Sequence, residues 1–206
     1  MNALTYTRPE KGGEYTLISP ANDRDGAYKL VDGLNTDIGF ERLYLFDMGD
    51  EILFDRVAER VFDGKSRVMI AASRTLDEVG AFDKKYGLDP IMFLYRTGLL
   101  EKADAVVGGV WLDKDDVDLM VQCGCPLILT PSYDMGRGHG IAETVMYVKR
   151  GLKIGLGTED CSFNAAADVS EEARLLSLVT SALNHNPDAL GLTALKNMIN
   201  FTLTKK

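Results

Sequence analysis

Two short stretches of this 206-residue chain hold most of the side chains that could do chemistry. PSYDMGRGHG (131–140) sets Asp134, Arg137 and His139 among three glycines, and GLGTEDCSFN (155–164) places Glu159 beside Asp160, with Cys161 next. A histidine can give or take a proton near neutral pH, carboxylates bind cations or act as bases, and a guanidinium grips anions through paired donors. Glycines allow a loop to bring such groups against a small ligand. Glu159, Asp160 and His139 are therefore the candidate catalytic residues. Asp134, Arg137, His139, Trp111, Asp47 and Arg74 are the candidate ligand-binding residues. Arg137 falls among three carboxylates, Asp134, Glu159 and Asp160, which either neutralise it or leave it for an anionic group. Solvated loops whose glycines merely turn the chain would carry the same composition, and both readings stay open.

A hydrolytic zinc site needs about three protein ligands and an open position for water. The chain has two histidines, His139 and His185, so a site built mostly of histidine is arithmetically out of reach. The remaining combination is His139 with Glu159, Asp160 and Cys161; the expectation is no metal and no other cofactor. No GxxxxGK[ST] run and no strand-associated GxGxxG occurs, which removes the phosphate-cradling motifs. Cys123 and Cys125 flank Gly124 and Cys161 stands alone, a pattern of reduced, packed thiols.

The elements that must position these residues alternate. Short apolar runs at Glu14–Ser19, Arg42–Phe46, Arg67–Ala72, Asp104–Gly108, Pro126–Thr130 and Lys153–Leu156 read as strands covered on both faces. Amphipathic stretches separate them: Asp50–Phe62, Leu76–Tyr86 stopped by Gly87, Asp89–Tyr95 with Pro90 in its first turn, Asp113–Cys123, Gly140–Arg150 and Val169–Asn184, with Thr193–Leu203 as a last helix. The fold class is α/β with about six parallel β-α units, forming either an open doubly wound sheet or a closed (β/α) barrel. Both put ligands at the carboxyl ends of the strands. Residues 1–13, with Arg8-Pro9 and Gly12-Gly13, read as an N-terminal arm, and 14–206 as a single domain.

With 23 basic against 31 acidic residues the formal charge is -8, and no basic block is present to track a phosphate backbone. Nucleic acid is not an expected partner. Neither a signal-peptide core nor an uncharged membrane-spanning stretch is present, so a cytoplasmic location is expected.

The segments KKYGLDPIMFLYRTGLL, ADAVVGGVWLDKDDVDLMVQCGCPLIL, TPSYDMGRGHGIAETV and GLKIGLGTE, followed by EEARLL, occur in an order and spacing that resembles the amidohydrolase superfamily. The similar branch contains guanine deaminase, the adenosylhomocysteine and methylthioadenosine deaminases, chlorohydrolases and a selenium-metabolism aminohydrolase, whose segment after the third strand NDRDG (22–26) also resembles. The resemblance implies a partial TIM-like barrel holding strands three to eight of eight, with the first two strands and the flanking β-sandwich absent. It implies a metal held by histidines on strands one, five and six and an aspartate on strand eight. At the matching places RVMIAAS holds no histidine, Gly108 stands at the sixth-strand ligand, Leu129 at the seventh-strand polar residue and Glu159 at the aspartate.

Function follows as an expectation: an amidohydrolase-like pseudoenzyme that binds a small ligand or a partner. The alternatives are a hydrolase or deaminase of cyclic C–N bonds, with a rebuilt site or one completed by another subunit, and a structural homo-oligomer. Open sheet edges need covering, so a homodimer, or a protein partner supplying the missing strands, is expected.

Overall fold

Seven strands form one sheet in which spatial order equals chain order. β1 (Thr5–Thr7) runs antiparallel to β2 (Glu14–Ile18). From β2 through β3 (Glu41–Leu45), β4 (Ser66–Ala72), β5 (Ala105–Gly108), β6 (Leu127–Leu129) and β7 (Ile154–Leu156), every adjacent pair is parallel. The computed structural model describes residues 5–7, 14–18, 41–159 and 162–201. All six expected strands are present. Because the order never reverses, the sheet has no switch point of the doubly wound kind, and it curls as a sector of a (β/α) barrel. β1 lies inside the stretch read as an arm and adds a strand that no apolar run announced.

Residues on successive strand positions face opposite sides. Leu43, Leu45, Val68, Ile70, Val106, Leu127, Leu129, Ile154 and Leu156 pack under the helices in one buried cluster. Tyr44, Met69, Ala71, Ala105, Val107 and Ile128 line the other face, where Phe46 and Phe201 pack on them. Phe201 lies so close to Gly155 that a Cβ there would meet its ring carbon at 2.4 Å, so the segment after the last helix covers the inner face at β7.

The covering helices are α1 (Glu51–Phe62), α2 (Leu76–Tyr86), α3 (Pro90–Arg96), the short α4 (Leu99–Lys102), α5 (Lys114–Cys123), α6 (Pro131–Gly136), α7 (Thr144–Lys149), α8 (Val169–Asn184) and α9 (Leu192–Ile199). α2 ends at Gly87 with φ +66° and α3 starts with Pro90 behind the cap Asp89, as expected. Three expectations need correction. The stretch read as a flexible loop from Pro131 starts with α6, where proline in the first turn needs no N–H partner. The helix expected from Gly140 starts at Thr144, since Gly140 has φ +126° and cannot join it. α9 begins at Leu192 and ends at Ile199 rather than at Leu203. Among the described residues no helix is long and apolar enough to cross a membrane.

The loop after β5 is anchored by a capping box on α5. Asp113 accepts from the amides of Asp115 and Asp116 at 2.8 and 2.9 Å, while Asp116 accepts from that of Asp113 at 3.1 Å. Asp116 is buried. Burial first, and then the neighbouring Asp89 carboxyl, push its pKa up from 3.8 to about 8. A carboxyl whose folded-state pKa is raised contributes stability that is fully present below its ordinary pKa and lost as pH rises through the raised one. Between about pH 5 and about pH 9 the wild-type protein should therefore lose more unfolding free energy than Asp116→Asn does, as read from urea transitions. Equal slopes in the two proteins would contradict the assignment.

Candidate functional site

The carboxyl ends of β3 to β7 converge on one buried ion pair. Arg74, just past β4, sends Nη2 to Glu159 Oε1 at 2.7 Å and to the Tyr44 hydroxyl at 2.6 Å. The Tyr44 hydroxyl in turn donates to the same carboxylate oxygen at 2.7 Å. The side chains of Arg74 and Glu159 are 6% and 4% exposed, so neither charge has bulk water to stabilise it. The guanidinium carbon lies 4.7 Å from the centroid of Phe46 and 5.5 Å from that of Tyr133. Burial pulls the Arg74 pKa down, but Tyr44, Glu159 and Asp134 outweigh it and hold the group above its already high ordinary value.

Local sequence explains how Arg74 reaches this place. β4 ends at Ala72, and Ser73 turns the chain with φ +52°. The amides of Ser73 and Arg74 then donate to the two oxygens of Glu78 at 3.1 and 2.8 Å, from the first turn of α2. Burial raises the pKa of Glu78, against those amides and Arg74, which lower it. Across the gap, Gly109 donates to Ala72 and Trp111 to the Ser73 carbonyl, both at 2.9 Å, which latches the β5 loop to the β4 loop. Gly108 has φ +93°, and a Cβ there would lie 2.4 Å from Arg74 Cγ and 2.8 Å from Nε. A glycine is thus required by both backbone and packing. Glu159 also has positive φ, at +52°, a conformation costing of order 1 kcal/mol that the ion pair helps to hold.

Beside this pair stands a second, more accessible group. His139 Nδ1 lies 3.0 Å from Asp134 Oδ1, and Thr130 Oγ1 donates to Asp134 Oδ2 at 2.7 Å. Trp111 Nε1 donates to the His139 carbonyl at 2.7 Å, and the His139 amide donates to that of Asp134 at 2.8 Å. A carboxylate oxygen only accepts, so Nδ1 is the donor where it meets the Asp134 carboxylate. The His139 side chain is 19% exposed and Trp111 is 40% exposed, so this dyad and its indole form the rim. Arg137 is exposed and stacks on Tyr133 and Phe163, 5.3 and 5.8 Å from their centroids.

The expected residues therefore separate into groups. Arg74 meets Glu159; Asp134 meets His139, with Trp111 behind; Arg137 lies over aromatic rings. Glu159 Oε2 and Arg74 Nε and Nη1 are buried without a hydrogen-bond partner among the described residues. Asp47 is exposed and accepts from the Gly49 amide at 2.7 Å, closing its own turn. Asp160 and Cys161 lie outside the described residues, as does Asn22–Gly26. Tyr44, Thr130 and Glu78 were missed. Tyr44 had a signal, since alternation along β3 puts it on the inner face opposite Leu43 and Leu45.

The donor set does not fit a divalent ion. Among the described residues no three of His, Cys, Asp and Glu converge. Glu159 Oε1 is taken by a guanidinium, His139 Nδ1 faces Asp134, and Arg74 fills the space over Gly108 that a ligand side chain would need.

No family model matches the chain. Curated relatives do. It is 27% identical over 189 residues to a 5-methylthioadenosine/S-adenosylhomocysteine deaminase of Thermococcus onnurineus, covering 89% of this chain and 44% of that protein. With the deaminase of the same name from Pyrococcus furiosus it shares 30% identity over 120 residues, 58% of this chain and 29% of the relative. The chain thus spans less than half the length of these relatives. Among solved structures, an adenosine deaminase from Xanthomonas campestris with bound zinc superposes with a TM-score of 0.70 at 16% identity, over 88% of this chain and 44% of that one. An atrazine chlorohydrolase from Arthrobacter aurescens complexed with zinc gives 0.65 at 21% identity, over 77% of this chain and 35% of that one.

Breaking a buried pair by removing one partner leaves an uncompensated charge, which costs about 3–5 kcal/mol. Glu159→Gln should lose that much in urea unfolding. Gly108→Ala should be strongly destabilising alone but much less so in an Arg74→Ala background, because the clash has then gone. Additive effects at 108 and 74 would show that the two residues do not touch.

Proposed function

We propose, for a chain that belongs to the amidohydrolase superfamily, a site that binds a small ligand at the strand ends and does not work through a metal ion. The observation that supports this is the Arg74 guanidinium seated over Gly108 and bonded to Glu159. A permanent cation there supplies the positive charge that the carboxylate needs, and its side chain occupies the volume in which further ligands would have to stand. The protein is accordingly read as a pseudoenzyme with respect to metal-dependent hydrolysis.

What remains for a ligand is the rim. His139, oriented by Asp134 through Nδ1, offers Nε2 as a polar partner for a ligand. Trp111 offers an aromatic face. Given the names of the curated relatives, a methylthioadenosine-type or adenosylhomocysteine-type thioether nucleoside is the ligand to try first. A homodimer or a partner covering the outer edge of β7 goes with this reading, since among the described residues β7 pairs only with β6.

Trp111 is the sole tryptophan, so its fluorescence reports on the rim directly. Titration with 5-methylthioadenosine and S-adenosylhomocysteine should give a saturable change that His139→Ala weakens at least tenfold, with no ammonia released. The purified protein should carry less than one transition metal per ten chains, and a chelator should leave its melting temperature unchanged. Ammonia release that a chelator abolishes and zinc restores would overturn the proposal.

A further inference from the structure

A groove of about 730 Å³ lies on the outer side of the barrel sector, between α7 and α8 and beside the start of α5, well separated from the strand-end ion pair in its lining residues. Its size falls in the range of small-molecule sites, roughly 300–1,000 Å³. One side is apolar: Val145 and Met146 of α7, Ile141 before it, and Leu183 of α8, which is 58% exposed. The charged side inverts the balance of the whole molecule. Lys114, Lys149 and Arg150 line the groove against a single acid, Glu143, in a chain whose formal charge is -8.

The three cations are not equivalent. Arg150 Nη1 contacts both oxygens of Asp118 at 2.5 Å and is satisfied. Lys114 and Lys149 are exposed and make no ion pair among the described residues. A further group lacks a partner: Thr180, on the α8 side of the groove, is 2% exposed, and its Oγ1 makes no hydrogen bond. Asn184 Nδ2 takes the Thr180 carbonyl at 2.9 Å and leaves the hydroxyl unused. Buried hydroxyls are normally bonded, and an unmet one at the wall of a groove marks a place where a polar atom is expected.

We infer that this groove binds an amphiphilic monocarboxylate, with its apolar body on Val145, Met146 and Leu183 and its carboxylate held by the ammonium groups of Lys114 and Lys149. A monoanion suits it better than a polyanion, because two lysines can offset one charge whereas the net negative field of the chain repels several. Lysine acts as a point charge on a flexible stem and accepts a carboxylate without demanding bidentate geometry.

Decanoate is the probe, measured by calorimetry at low salt on the full chain. Lys114→Glu combined with Lys149→Glu should weaken binding at least tenfold, and Leu183→Asp should weaken it comparably. All three side chains are exposed, so the variants should retain the wild-type melting temperature. Raising the ionic strength to about 0.5 M should weaken binding to the wild type but not to the double variant. His139→Ala should leave decanoate binding intact, which separates this site from the strand-end rim. Absence of saturable decanoate binding would overturn the inference, as would an unchanged affinity in the double lysine variant or in Leu183→Asp.

Discussion

The geometry of the strand ends depends on one constraint: two opposite charges, on Arg74 and Glu159, are buried against each other with almost no access to water. Removing each from water costs several kcal/mol, and their attraction offsets this only when donors and acceptors are well placed. Tyr44 helps by accepting from the guanidinium and donating to the carboxylate. The pair is therefore better understood as a lock than as a source of net stability. With either partner gone, the other is stranded, and the loops after β4 and β7 lose the contact that fixes their positive-φ residues Ser73 and Glu159.

Everything around the lock is arranged to bring Arg74 there. Glu78 collects the two amides that follow β4, the β5 loop is latched to that turn by two backbone bonds, and Gly108 gives up a side chain so that the arginine stem can pass. The neighbouring polar group, Thr130 to Asp134 to His139, is held by its own hydrogen bonds, with only the outer edge of the imidazole and the indole of Trp111 open. A buried ion pair that leaves Arg74 Nε and Nη1 and Glu159 Oε2 without hydrogen bonds among the described residues thus sits beside an oriented histidine, the first occupying the place a cation would take.

Much of the fold was legible because its signals are local. Apolar runs bounded by turns marked β2 to β7, the amphipathic stretch Asp113–Cys123 marked α5, and Gly87 marked the end of α2. Less local features escaped. Thr5–Thr7 is a strand only through pairing with β2, and α6 is a six-residue helix that leads into Gly136, Gly138 and Gly140, so the whole stretch reads equally well as a loop. At the site, Arg74, Glu159, Asp134 and His139 were identifiable as polar residues at strand ends, but their pairing was not. Arg137 is nearer than Arg74 in sequence to the carboxylates at 134 and 159, yet Arg74 reaches Glu159 because the carboxyl ends of β4 and β7, with β5 and β6 between them in the sheet, converge across 85 residues of chain. Gly108 was visible as a missing side chain; that another side chain fills its place was not.

The most direct test is an anomalous difference map at the zinc edge, from crystals grown with excess zinc. The expected result is guanidinium density over Gly108, bonded to Glu159 and Tyr44, with no anomalous peak beside Glu159. A peak at Glu159 Oε1 with Arg74 swung away from Gly108 would contradict it.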